Sequence, residues 1–178
     1  MKIKYKRVKK VKFIRHFSKA TSVFADYRED NITNNNKASK IDSGFFKNYK
    51  FIKNEEDQIA TNEVLREYFG PLKNEFLNLC SNPKFYPVIT WLEYSKACKQ
   101  WAIFDKYLTS VDIDRLFVAV NFEEDDLDNN DDNSLCRYEF SEIAARIGKE
   151  RYYDKNLTDS IADGTRKFIE EHLIKNTC

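Results

Sequence analysis

The sequence predicts an all-α fold: two helix-loop-helix units that pair, an extended basic arm before them and one further helix after them. Three observations carry this. Ile113, Leu116, Phe117 and Val120 share one face at the helical period, and Phe140, Ile143, Ala144 and Ile147 repeat that spacing. A strongly acidic segment, FEEDDLDNNDDNSLCRY, separates the two stripes. The pattern then recurs upstream. Ile89 and Glu93 are spaced as Leu135 and Glu139 are, and Tyr94, Ala97, Cys98 and Trp101 follow at the spacing of Phe140, Ile143, Ala144 and Ile147. An ordinary helical bundle whose stripes recur by chance is the competing reading.

A chain of 178 residues, 42% hydrophobic and 15% aromatic, can bury a core of its own. No run approaches the roughly 18 apolar residues of a membrane span. The basic first residues are not followed by an apolar core segment and a small-residue cleavage site, so no secretory signal is expected. The four cysteines, Cys80, Cys98, Cys136 and Cys178, form no CxxC pair. They read as reduced thiols of an intracellular protein, with Cys80 and Cys98 facing the core.

The charge is balanced in total and unbalanced in place. Lys2, Lys4, Lys6, Arg7, Lys9, Lys10, Lys12 and Arg15 open the chain without an acid among them. Glu123, Glu124, Asp125, Asp126, Asp128, Asp131 and Asp132 follow one another without a base. Separation of this kind implies local partners of opposite sign.

Residues 1–43 are expected to be extended. The arm MKIKYKRVKKVKFIRHF interleaves apolar residues at neither a strand nor a helix period, and the NITNNNKASK run has a linker's composition. Residues 44–153 hold the paired units. Phe45, Phe46, Tyr49, Phe51 and Ile52 anchor a short helix or loop. Thr61 is expected to cap a helix through Val64, Leu65 and Phe69, which Gly70-Pro71 breaks. Pro71 suits the first turn of the next helix, with Leu72, Phe76, Leu77 and Cys80 inward. Residues 154–178 form the last helix. Thr158 or Asp159 caps it, Ile161, Phe168, Ile169 and Leu173 form its apolar side, and Gly164 weakens it by about 1 kcal/mol relative to Ala. It is expected on the outside of the pair or on a partner.

Helix, acidic loop, helix is the layout of an EF-hand, and EF-hands pair because neither half can bury its apolar face alone. Ile89 and Leu135 are the expected ladder pair between the two loops. Aligned on Glu93, the first loop offers Asn82, Lys84 and Tyr86 at ligand positions, a set that repels rather than binds a hard cation. The second loop has two registers. Counting back from Glu139 gives Asp128, Asn130, Asp132, Ser134 and Glu139 as calcium ligands, with Asn133 where glycine is usual. Counting forward from the apolar stripe puts Asn121 first and makes the loop longer than the twelve residues of that type. The stripe carries more free energy than ligand identity in a metal-free chain. An expanded acidic loop is therefore expected, with no cofactor or a weakly held calcium ion.

The segment SVDIDRLFVAVN…SLCRYEFSEIAARIGKERYY resembles EF-hand-like proteins and domains of cilia and flagella, of the type found in ciliates and other protists. The matching positions are Asp114, Arg115, Leu116, Phe117, Ala119 and Asn121, then Leu135, Arg137, Tyr138, Phe140, Glu142, Arg146 and Ile147, in an L-x-R-Y-x-F-x-E motif. The likeness covers about half of the chain and not the basic arm. It implies a non-enzymatic structural or interaction protein of the ciliary axoneme. Its location would be cytoplasmic and cytoskeletal, its partners axonemal proteins or tubulin within a large complex. A calcium sensor of ciliary motility is the alternative.

An enzyme is not expected. There are two histidines and four glycines, with no nucleophile motif and no glycine-rich phosphate loop. Aromatics in the basic arm could stack on bases. However, no RNP, KH or zinc pattern supports a nucleic-acid partner.

Overall fold

Ile89 and Leu135 face each other across a two-stranded antiparallel ladder, as the spacing predicts. β1 (Ile89–Thr90) pairs with β2 (Ser134–Leu135), and Thr90 stands opposite Ser134. The Trp91 N–H extends the ladder to the Asn133 carbonyl. Everything else of regular structure is helical in this computed structural model, which describes residues 32–80, 87–122 and 133–174. Contacts divide the chain into two units, Met1–Phe45 and Phe46–Cys178. Among the described residues, no helix is long and apolar enough to cross a membrane.

In the first unit, α1 (Ile32–Ser43) is a helix where an extended linker was expected. Asparagine-rich polar sequence carries no apolar stripe, so periodicity is blind to it. Lys37, Ala38 and Lys40 nevertheless favour the helix, and Ala38, Ser39 and Asp42 are buried on it. Residues 1–31, with the basic arm, lie outside the described residues.

In the second unit, a 3-10 turn at Asn48–Lys50 leads through the buried Ile52 to α2 (Glu55–Glu67). Asn54 caps this helix, accepting from the Glu56 N–H, and Glu55, Glu56 and Asp57 complement the N-terminal dipole. The expected Thr61 cap is thus displaced. Thr61 lies mid-helix and fully buried, because the stronger acidic start lies upstream. Tyr68 interrupts the helical run, and α3 (Phe69–Leu79) follows with Pro71 in its first turn. Leu72, Phe76 and Cys80 are buried as expected, and Leu77 is half-buried.

Each ladder strand runs directly into a helix. Thr90 caps α4 (Trp91–Gln100), and Cys136 precedes α6 (Arg137–Gly148). α4 ends in a Schellman turn: Ala102 takes φ 52°, its N–H reaches the Lys99 carbonyl, and the Ile103 N–H reaches that of Cys98. α5 (Ser110–Asn121) starts on a reciprocal cap of Thr109 and Asp112.

An aromatic chain joins these helices: Phe76 to Phe140, Phe140 to Trp101, Trp101 to Tyr94, Tyr94 to Phe117 and Phe117 to Trp91, with ring centroids 5.0–6.3 Å apart. α6 is the hub, buried from Glu139 through Gly148. A π-helical turn, Lys149–Tyr153, follows it. α7 (Ile161–Phe168) then packs against α6 and α2 and runs into a second π-helical turn, Ile169–Ile174. Ser160, rather than Thr158 or Asp159, caps α7. Ile161, Phe168, Ile169 and Leu173 are buried within the unit, so the last helix completes the core.

Candidate functional site

The ladder brings together the two loop ends that carry Glu93 and Glu139. Both carboxylates do the same local job, three residues into a helix. Glu93 Oε2 accepts from the Thr90 N–H at 2.8 Å and from its hydroxyl at 2.9 Å. Glu139 Oε2 accepts from the Cys136 N–H at 2.9 Å. A side chain that closes an N-terminal capping box satisfies a backbone donor the helix itself leaves open. The recurring Ile/Leu-to-Glu spacing is therefore explained by strand pairing plus capping.

Of the expected ligands, Ser134 lies in β2 and Glu139 in the first turn of α6, both buried. Asp128, Asn130 and Asp132 lie outside the described residues, as do Asn82, Lys84 and Tyr86 of the first loop. Among the described residues, no group of three or more His, Cys, Asp or Glu side chains could hold a metal ion. Asn121, first in the forward register, is buried at the end of α5. Its Nδ2 donates to the Phe117 carbonyl at 3.1 Å, and its Oδ1 has no partner among the described residues.

The matched positions of the second unit have physical roles. Glu142 is fully buried; its Oε1 accepts from Arg146 Nε at 3.0 Å and from the same guanidinium at 2.8 Å, and its Oε2 accepts from the Lys47 N–H at 2.9 Å. The Arg146 guanidinium lies 4.3 Å from the centroid of the Phe51 ring, and that of Arg137 lies 5.1 Å from Phe69. Lys47 Nζ donates to the carbonyls of Val120 and Phe122, which closes the C-terminal end of α5. Arg115 bonds Glu150 at 2.8 Å on the surface.

The i, i+4 spacing of Glu142 and Arg146 was visible in the sequence. Lys47 gave no signal, because nothing local says which distant helix end it reaches.

The outer face of α5 carries a second feature. Val111, Val118 and Phe122 are 71%, 68% and 62% exposed and fall on one side of the helix. Comparison with protein-family models, with curated proteins and with solved structures finds no match for this chain.

Proposed function

We propose that this chain is a non-enzymatic structural protein of the ciliary axoneme, built on a degenerate EF-hand-like pair that docks on microtubule-associated or tubulin surfaces. The observation that supports the pair is the antiparallel meeting of Ile89 and Leu135, each directly ahead of a helix capped by its own glutamate. The docking role rests on charge separated along the chain and on the exposed row Val111, Val118, Phe122. A full-length variant with Lys2, Lys4, Lys6, Arg7, Lys9 and Lys10 changed to Gln tests it. Co-sedimentation with microtubules or axonemes should weaken for the variant, and for the native chain as salt rises. Equal binding by both proteins at all salt concentrations would reject the reading.

Calcium sensing is the second reading, and it rests on the run of oxygen-bearing side chains at alternate positions from Asp128 that ends on Glu139. Asp128, Asn130, Asp132, Ser134 and Glu139 would then be the ligands. Titration calorimetry with micromolar calcium decides it. Heat that disappears in Glu139→Gln supports sensing, and no heat with the native chain dismisses it.

A further inference from the structure

Two side chains of the last turn and one tyrosine form a run of hydrogen bonds whose protons can be counted. The Tyr152 hydroxyl lies 2.9 Å from Glu171 Oε2 and 3.0 Å from His172 Nε2. The other ring nitrogen, Nδ1, lies 2.8 Å from the Trp101 carbonyl oxygen.

A carbonyl oxygen only accepts, so Nδ1 carries a proton. A carboxylate also only accepts, so Glu171 takes the single hydroxyl proton of Tyr152. The contact from Tyr152 to Nε2 then needs another proton. An ionised Glu171, a neutral tyrosine and a neutral imidazole are one proton short. Imidazole is a stronger base than carboxylate, so the missing proton belongs on the ring.

We propose that His172 is a proton-operated latch: as an imidazolium it ties the turn Ile169–Ile174 both to Tyr152 and to the C-terminal end of α4. Loss of one proton leaves two contacts sharing one hydrogen, and one contact opens.

Charged groups of both signs stand around the ring and Tyr152. From its own turn the ring has Glu171, with Glu170 beyond it bonded by the Tyr68 hydroxyl. From Lys149–Tyr153 come Tyr152 and Arg151; the Arg151 guanidinium lies 5.5 Å from the Tyr152 ring and pairs with Asp105 at 3.1 Å. α7 contributes Lys167, 5.0 Å from that ring, and the Phe168 ring lies 5.6 Å from the imidazole. α3 packs on the same turn and carries Glu75, which accepts from Trp101 Nε1 at 3.0 Å, and the buried Lys73. Burial first, and Glu171 against the pull of Arg151, push the Tyr152 hydroxyl up to about 12. Tyr152 is therefore a neutral donor throughout the range in which a histidine titrates.

The linkage has a definite sign. The folded chain holds a proton that the unfolded chain releases, so the latch stabilises below the ordinary histidine range of about 6.5. Its contribution is lost as the pH rises through the point where the folded ring deprotonates.

Ring-nitrogen NMR on the full-length chain tests this. At about pH 7 both nitrogens of His172 should be protonated in the native protein, and in Tyr152→Phe the Nε2 proton should be gone. Amide protection at Leu173 and Ile174, corrected for intrinsic exchange, should fall about tenfold between roughly pH 6 and pH 8.5, as loss of one charge-assisted hydrogen bond implies. In His172→Gln that fall should vanish. A ring protonated only at Nδ1 in the native chain at about pH 6 overturns the latch. So does a ring that stays doubly protonated in Tyr152→Phe. If His172→Gln does not fold, the native chain and Tyr152→Phe still decide.

Discussion

Gly148 and Gly164 meet backbone to backbone where α6 ends and α7 passes it. A Cβ on Gly164 would lie 2.6 Å from the Gly148 carbonyl oxygen, and one on Gly148 would lie 2.5 Å from Thr165 Cα. Neither neighbour is a side chain that can turn aside. Propensity alone would make Gly164→Ala a gain of about 1 kcal/mol. The contact reverses that sign, and both Gly164→Ala and Gly148→Ala should lower stability by about 1–3 kcal/mol through overpacking. Urea unfolding checks it, and a raised midpoint for Gly164→Ala would refute the close packing.

Ala102 presents the opposite case. It holds φ 52° after α4, a conformation in which a side chain is strained and glycine is not. Ala102→Gly should stabilise by about 1 kcal/mol. Thermal unfolding should show a higher midpoint; a lower one means that the unfolded-state entropy of glycine outweighs the relieved strain.

The buried pair of Glu142 and Arg146 is sensitive to removal of one member. Arg146→Met leaves a carboxylate without its cation inside the protein and should cost about 3–5 kcal/mol. Adding Glu142→Gln should recover part of that loss, since glutamine can still accept from the Lys47 N–H. The comparison is made by denaturant unfolding of the two variants. A double variant less stable than the single one contradicts the assignment.

Glu93→Ala and Glu139→Ala both open a capping box, but the two sites differ in burial. Glu93 lies at the surface end of the ladder, where the loss should be about 1 kcal/mol. Glu139 is fully buried, so its removal orphans the Cys136 N–H away from water and should cost more, about 1–3 kcal/mol. Equal costs for the two would place Glu139 outside the core.

The thiols supply the pH dependence. Burial pushes the Cys80 and Cys98 thiols up to about 12, and burial likewise raises Cys136 well above the ordinary thiol range. While folded, these three should resist alkylation at about pH 8 and react once urea is added, as mass spectrometry would show. The folded chain keeps protons that the unfolded thiols release above their ordinary value of about 8.5. The contribution to stability is thus present below that pH and lost as pH rises from there towards 12. Rapid labelling of Cys98 in the native state would contradict its burial.

By itself the sequence determined the helical class, the inward faces of α4, α5 and α6, and the register Ile89 to Leu135. Those features are periodic, and burial of an apolar stripe dominates the local choice. It misjudged α1 and the start of α2, where no stripe exists or a stronger cap lies upstream. Only the tertiary structure decided that the last helix belongs to the core, that Gly164 is a contact rather than a weakness, and that Lys47 closes α5. The same holds for His172, whose contacts Tyr152 and Trp101 come from two separate stretches of chain. Each of these depends on which backbone lies opposite, and a one-dimensional pattern carries no record of that.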